Sequence, residues 1–513
     1  MRSARLFGGL VAVSCGLTAG LTACAEISPP SRHLLIVLDG LRPDYVTQEI
    51  MPNLYALGSQ GLVFENHHAV YPTVTRVNAS SISTGSYPET HGLMGNSVFV
   101  PDVDPTRFLD TGDRGNLLKI ADVTGTLLTA PTMGNTLQKV GRRMLVVSAG
   151  STGSSFLVNH TVAGGAVLHH EVTLPESLEE QVRAELGDPL PAGTASSVLN
   201  ERAVDAFLKI GIPYVDPTVT VIWLTDPDTT AHQEGIGHPT TIESLRAVDG
   251  EIGRIEDGLR AADLFEVYNI WVTSDHGFST YTGQPDVTAL MESVLATLDD
   301  GSPRVVEGGG AVYVPDGDRE IIRRLVQRLQ ETVGIGAIFT QAEEPGGLDG
   351  WAPGTLSFDA VRWQHDRSAD ILFSPDWSDV VNAYGFRGAT ASDGVAGHGS
   401  SSPYDVHNLL MAAGPDLRRG VTIGAATANV DFAPTFLHLL GAPIPDSMQG
   451  RVLEEAFENG PDPQSVSTRD LEHTIETSDG RYRLTAFFSI VEQDGKSYRY
   501  LDRTVVSRAA GPT

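Results

Sequence analysis

Short apolar runs bounded by turn formers recur along the chain: Leu34 to Leu38, Met144 to Ser148, Val219 to Leu224, Tyr268 to Thr273 and Asn408 to Ala413. Runs of this length without polar alternation predict strands buried on both faces, as in a parallel sheet covered by helices. Elsewhere the period changes. Ile242, Leu245, Ile252, Ile255 and Leu259 recur at spacings of three, four or seven, predicting one amphipathic helix, and Ile321 to Leu329 predicts another. Together these patterns give an α/β fold built on a doubly wound, mostly parallel sheet flanked by helices. The tail, 470 to 507, reads differently. Segments such as RYRLTAFFSIV alternate, and Asp479-Gly480 and Asp494-Gly495 are hairpin-turn pairs.

Chemistry-bearing residues stand where such a sheet binds ligands. Asp39 follows IVL, Asp228 follows VIWL, and Asp275 with His276 follows IWVT, all at the carboxyl ends of predicted strands. Asp228 and His232 are four apart, so one helical turn brings them to a common face; His398 lies in a Gly-His-Gly. Carboxylate and imidazole donors suit Zn²⁺, and a set of three leaves a position open for water or substrate. Thr75 is the second threonine of P-T-x-T, after Tyr71-Pro72 and at the start of a helical pattern. There the helix dipole favours the alkoxide that a free threonine does not form. Singly, each residue has an ordinary reading: aspartates and threonines cap helices, and histidines bond at surfaces. The joint pattern argues for a two-metal phosphoryl-transfer site, whose cations, about 4 Å apart, hold the entering and leaving oxygens.

Whole motifs sharpen this. HLLIVLDGLRPDYV (33 to 46), YPTVTRVNASSISTGSYPETHGLMGN (71 to 96), DPDTTAH (226 to 232), TSDHG (273 to 277) and GHG (397 to 399) occur in that order. They resemble the signature blocks of the nucleotide pyrophosphatase/phosphodiesterase family of the alkaline phosphatase superfamily. Segment 428 to 457 resembles the superfamily's closing helix and loop. The resemblance implies an alkaline-phosphatase-like catalytic core over 32–279 and 395–460, with a smaller cap lobe inserted at 280–394; residues 461–513 would form a β-rich extension. It implies two divalent ions, zinc by preference. Asp228, His232 and His398 would hold one, and Asp39, Asp275, His276 and the Thr75 oxygen the other. Thr75 would be the nucleophile of a double displacement through phosphothreonine. Asn96, 21 positions after it, would donate to the non-bridging oxygens with the backbone N–H of Arg76. The expected activity is hydrolysis of phosphate diesters or nucleotide pyrophosphates.

Arg76 departs from the pattern, since members that cleave nucleotides carry an aromatic residue there. Its guanidinium either grips a further anionic oxygen, favouring a phosphomonoester, phosphonate or polyphosphate, or pairs with an acidic neighbour. Phe99 and Tyr214 are candidate stacking partners for a base. His67, His68, His91, His169, His170, His238 and His407 read as structural, with His407 the first exception because it lies close to His398.

Arg2 and Arg5 precede an apolar run, Leu6 to Leu21, too short to span a bilayer and ending in Leu21-Thr22-Ala23-Cys24. This resembles a lipobox: cleavage after residue 23 would leave Cys24 for acylation, 24–31 as a tether, and an exported lipoprotein at a periplasmic or cell surface. An ordinary signal peptide with a chance cysteine is the plainer reading. Loss of Cys15 with the signal would leave one cysteine, hence no intrachain disulfide. Net charge, −29, becomes −31 without Arg2 and Arg5. That balance excludes non-specific binding of nucleic-acid polymers but not of a small phosphorylated substrate, because bound dications reverse the field locally. Two other classes fit less well. A sulfatase needs C/S-x-P-x-R, found only at Ser28 to Arg32 before the first strand, and an inactive surface lipoprotein would be expected to have lost a ligand.

Overall fold

Alternation explains why the first strand is apolar from Leu34 to Leu38. In β1 (Arg32–Leu38), Leu35 and Val37 join a cluster with Trp223 and Trp271, while Leu34, Ile36 and Leu38 join one with Ile252 and Leu259. Successive side chains leave opposite faces, so a strand covered on both sides is mostly apolar on both. The computed structural model describes residues 31–295 and 305–509. The signal segment and Cys24 lie outside the described residues.

β1 is central in a ten-stranded sheet. The others are β2 (Leu62–His68), β3 (Met144–Ser148), β4 (Ala166–His169), β5 (Thr173–Leu174), β6 (Val219–Leu224), β7 (Tyr268–Thr273), β8 (His407–Ala413), β9 (Val421–Ile423) and β10 (Thr427–Ala428). The order is β9-β2-β8-β7-β1-β6-β3-β4-β5, with β10 also beside β2. β1 is parallel to both neighbours, Leu35 facing Val221 of β6 and Trp271 of β7. β8 runs against β2 and β7, and β5 against β4. The fold is therefore α/β with a mostly parallel sheet, as the apolar runs predict. The reversal of β8 matters: it brings the amino end of that strand, and the Gly-His-Gly before it, to the edge where the parallel strands end.

Three helices recur below: α1 (Thr75–Thr84), α2 (Asp228–Glu234) and α3 (Pro239–Ala261). α3 buries Leu245, Val248, Ile252, Ile255 and Leu259 against one sheet face. Within 280–394 a five-stranded sheet carries the helix Arg319–Glu331, and Leu325, Ile338, Phe339 and Ile371 continue the cluster on the other face of the central sheet. A short sheet joins Ser279–Tyr281 to Arg387–Thr390 and to Ala396–Gly397, stitching the two ends of this segment together beside His398. The tail forms an antiparallel sheet of β11 (Thr468–Glu476), β12 (Tyr482–Gln493) and β13 (Lys496–Arg508). Its second turn is Asp494-Gly495 with φ of 52° and 73°, the doubly positive pair that a two-residue hairpin requires.

Asp249 of α3 ties the helix Pro52–Gln60 to the core: its buried carboxylate accepts from the N–H groups of Asn53 (3.1 Å) and Leu54 (2.9 Å) and from the Asn53 amide (2.9 Å). Asp249→Ala leaves those donors unmet and is expected to cost about 1–3 kcal/mol of stability, measured by denaturant unfolding; no loss would contradict this anchoring role.

Candidate active site

α1 is a polar helix lying inside the protein. Its sequence TRVNASSIST is buried almost throughout, which its hydroxyls permit by bonding carbonyls one turn back, Ser80 Oγ to Arg76 O (2.9 Å) and Thr84 Oγ1 to Ser80 O (2.7 Å). Asn78 binds the N–H (2.8 Å) and C=O (3.0 Å) of Val70, clamping the loop that leads in. Thr75 therefore starts the helix in a fixed position, with its Oγ1 3.3 Å from His276 Nε2.

Three histidines converge on this end, each set by a backbone carbonyl. The Nδ1 of His232 faces Ala396 O (2.9 Å), that of His276 faces Gly277 O (3.0 Å), and that of His398 faces Thr73 O (2.9 Å). A carbonyl only accepts, so each Nδ1 carries the hydrogen and each Nε2 turns a lone pair inward. What those lone pairs meet are carboxylate oxygens. Asp228 Oδ1 is 3.3 Å from His232 Nε2 and 3.3 Å from His398 Nε2; His276 Nε2 is 3.1 Å from Asp275 Oδ2 and 3.5 Å from Asp39 Oδ1. Asp39 Oδ1, Asp228 Oδ1 and Asp275 Oδ2 are buried and make no hydrogen bond within the chain. Acceptors facing acceptors in a buried pocket call for cations. The donor sets Asp39/Asp275/His276 and Asp228/His276/His398 each fall within 4.8 Å, and the two adjoin at His276. All seven residues that the sequence nominates as ligands or nucleophile are thus gathered at one edge of the sheet.

The supporting residues carried little sequence signal. Trp223 of β6 donates its Nε1–H to Asp39 Oδ2 (2.9 Å), and Gly40 N–H bonds Asp275 Oδ1 (3.1 Å). Asn429 donates to Asp275 O (2.9 Å) and Asn78 Oδ1 (3.0 Å) and faces His67 Nε2 (3.1 Å). Asp405 accepts from Ser279 and from Ser400 Oγ (2.6 Å) and N–H (3.0 Å), shaping the loop after His398. Glycines make the close approaches possible. A Cβ on Gly277 would strike the Tyr404 carbonyl, and Gly399 holds φ at +111°. Asp226, the near neighbour of Asp228, is spent on Thr230 (2.7 Å) and Asn200 (3.3 Å).

Burial sets the electrostatics. Asp275 is pushed up to about 7 by burial and by the Asp228 charge, and Asp39 is raised well above the carboxylate range by burial and by Asp275. Asp228 is also buried, but His232 and His398, which can take up protons and donate to it, outweigh burial and hold it low. Lacking metal, the pocket can balance its charge only with protons.

Asn96 and Arg76 meet, with a consequence for the expected pair of donors. The Arg76 N–H donates to Asn96 Oδ1 (2.9 Å), so it holds the amide in place, and the Asn96 NH₂ remains as the donor. The Arg76 guanidinium lies against Gly112, 4.0 Å from Asp110 Oδ1. Arg76 lines a depression of about 360 Å³ with Asp110, Ser151, His169 and His170, whereas Asn96 and His398 line a separate cavity of about 640 Å³ with Phe108, Tyr313 and Trp363. Phe99 packs beside that cavity, 5.1 Å from Tyr313 and 5.8 Å from Phe108. Tyr214 is excluded as a stacking partner: it is exposed near Glu185, before the amino end of β6, at the edge of the sheet away from Asp228.

Asp275→Asn tests the charge argument in metal-free protein. A carboxyl whose folded value, about 7, lies above its ordinary 3.8 holds its proton more tightly when folded, so its stabilisation is complete below about 4 and is lost as pH rises through 7. Metal-free Asp275→Asn is expected to unfold at a higher temperature than metal-free wild type at pH 8, with the gap narrowing at pH 5 and closing only below about 4. Differential scanning fluorimetry reads this, and a gap independent of pH would refute it.

Comparison with known proteins agrees with this geometry. The family model for type I phosphodiesterase / nucleotide pyrophosphatase matches residues 33–391. Human bis(5'-adenosyl)-triphosphatase ENPP4 is 24% identical over 433 residues, covering 83% of this chain and 82% of that protein. Venom phosphodiesterase of Macrovipera lebetinus is 26% identical over 260 residues, which are 50% of this chain and 26% of the venom protein, so the match spans about a quarter of that relative's length. The solved structure of murine ectonucleotide pyrophosphatase / phosphodiesterase 5 superposes with a TM-score of 0.57 at 18% identity, covering 81% of this chain and 96% of that one, and so has the same fold. Matched over most of its length, the chain belongs to the type I phosphodiesterase / nucleotide pyrophosphatase family of phosphoric ester hydrolases.

Proposed function

We propose that the protein is an exported, metal-dependent hydrolase of phosphate diesters or nucleotide pyrophosphates, with Thr75 as nucleophile. The observation that carries this is the set of inward-facing imidazole nitrogens and unbonded carboxylate oxygens around one hydroxyl at a helix N-terminus. Asp228, His232 and His398 would hold one divalent ion, and Asp39, Asp275, His276 and Thr75 a second; the donors suit zinc. Bound there, the ions would neutralise the charge on the attacking and departing oxygens. Thr75 Oγ1 attacks phosphorus, the ester or anhydride bond to the leaving oxygen breaks, and phosphothreonine forms; water then cleaves the new P–O bond and restores Thr75. The Asn96 NH₂ donates to a non-bridging oxygen whose charge grows in the transition state. The catalytic core would comprise 32–279 and 395–460, with 280–394 forming a cap that walls the larger cavity.

Diester or pyrophosphate preference is supported by the cavity of about 640 Å³ beside Asn96 and His398, which has room for a substituent on phosphorus. The approach of Arg76 to Asp110 weakens the alternative of a phosphomonoesterase or phosphonate hydrolase. Export and a lipid anchor rest on Arg2, Arg5, the apolar run and Cys24, and no described helix is long and apolar enough to cross a membrane.

Thr75→Ala is expected to abolish turnover of bis-p-nitrophenyl phosphate while most bound zinc, measured by mass spectrometry, remains. Retained turnover would refute the nucleophile. Asn96→Ala should lower kcat by about 10²–10³. Wild type should favour bis-p-nitrophenyl phosphate over p-nitrophenyl phosphate and lose activity to chelator; monoester preference would favour the alternative.

A further inference from the structure

His67 and His68 are consecutive in β2, so their side chains leave opposite faces. His67 turns to Asn429, behind Asp275. His68 faces the C-terminal sheet. It is buried, with Nδ1 2.9 Å from Thr427 O and Nε2 2.9 Å from Asp502 Oδ1. The carbonyl fixes the hydrogen on Nδ1, as it does for His232, His276 and His398, so Nε2 again points a lone pair at a carboxylate. His407 is the cross-strand partner of His68 in β8, with ring centroids 4.6 Å apart. Its Nε2 is 4.0 Å from the same Asp502 oxygen, too far for a hydrogen bond.

The third residue is delivered by an irregularity. In the pairing of β12 with β13, Phe487 faces Arg503 and Phe488 faces Leu501, so Asp502 is an extra residue with no cross-strand partner. Such a bulge re-aims a side chain, and this one brings the carboxylate to the two histidines. Ser489 Oγ donates to the same Asp502 oxygen, Oδ1 (2.9 Å), and fixes its place. The nearby cation is used elsewhere, the Arg503 guanidinium lying 4.0 Å from the Phe487 ring centroid. His68 Nε2, His407 Nε2 and an Asp502 oxygen all lie within 4.8 Å of one another.

We propose that His68, His407 and Asp502 form a further divalent-cation site, of the zinc class, that clamps the C-terminal sheet to β2 and β8. Two imidazoles and a carboxylate are a zinc donor set with room for water as fourth ligand. The His407 side chain, 32% exposed, gives an ion a way in. A single proton on His68 would satisfy the 2.9 Å contact with Asp502 but not join His407, whereas one cation would join all three.

The test compares zinc content of full-length wild type, His407→Ala and the near-isosteric Asp502→Asn after gel filtration. As a difference between proteins, it does not depend on how many ions the active site holds. Each variant is expected to carry one equivalent less than wild type, to lose part of the zinc-induced rise in unfolding temperature, and to keep the diesterase turnover of wild type. Equal zinc content in all three would overturn the proposal and leave a protonated His68–Asp502 pair. Loss of zinc together with turnover would also overturn it, by assigning the ion to the active site. If His407→Ala does not fold, Asp502→Asn decides alone.

Discussion

The architecture depends on an electrostatic deficit. Asp39, Asp228 and Asp275 each turn a buried oxygen with no hydrogen bond toward imidazole nitrogens that are themselves acceptors. Burying unpaired charge costs several kcal/mol per group unless a cation or a proton compensates. The fold holds this arrangement in place with backbone carbonyls on the far side of each ring, Trp223 behind Asp39 and Asn429 behind the Asp275 backbone. Compensation by metal would make the same groups the device for phosphoryl transfer that the proposed function requires.

Such a device needs a rigid mount, and the sheet supplies it. β1, β6 and β7 are buried on both faces, so their carboxyl ends are fixed by packing and the residues that follow inherit that precision. The reversed β8 adds the fourth anchor. His398, nine residues before it, reaches the same edge, and the short sheet through Ser279–Tyr281 holds Gly397 beside the end of segment 280–394. β2 serves two purposes through alternation: His67 supports the active-site side and His68 faces the C-terminal sheet.

The surroundings of Thr75 differ from one side to the other. Thr75 is followed by Arg76, whose guanidinium lies against Gly112, 4.0 Å from Asp110 Oδ1, in a small, polar depression. The larger cavity carries the aromatic surface of Phe108, Tyr313 and Trp363, the last two from segment 280–394. Aromatic contact is therefore offered on the Asn96 side, within a lining that also carries Asp286, Glu307 and Asp393, and polar contact on the Arg76 side.

The sequence by itself determined much of this. Met144–Ser148, Val219–Leu224 and Tyr268–Thr273 are strands over the residues their apolar runs mark, because a doubly covered strand leaves its burial in composition. The hairpin at Asp494-Gly495 was legible because few residue pairs accept two positive φ angles. Asp228 and His232 were legible because their spacing is one helical turn. Only the tertiary structure decided the rest. The direction of β8 depends on strand pairing, and the orientation of each imidazole depends on a carbonyl that is remote in sequence for His232 and His398. The use of Arg76 depends on a loop 34 residues on. Asn429, Asp405 and Asp502 carry no local signal, since an isolated amide or carboxylate takes its role from the distant groups that folding brings within 3 Å of it.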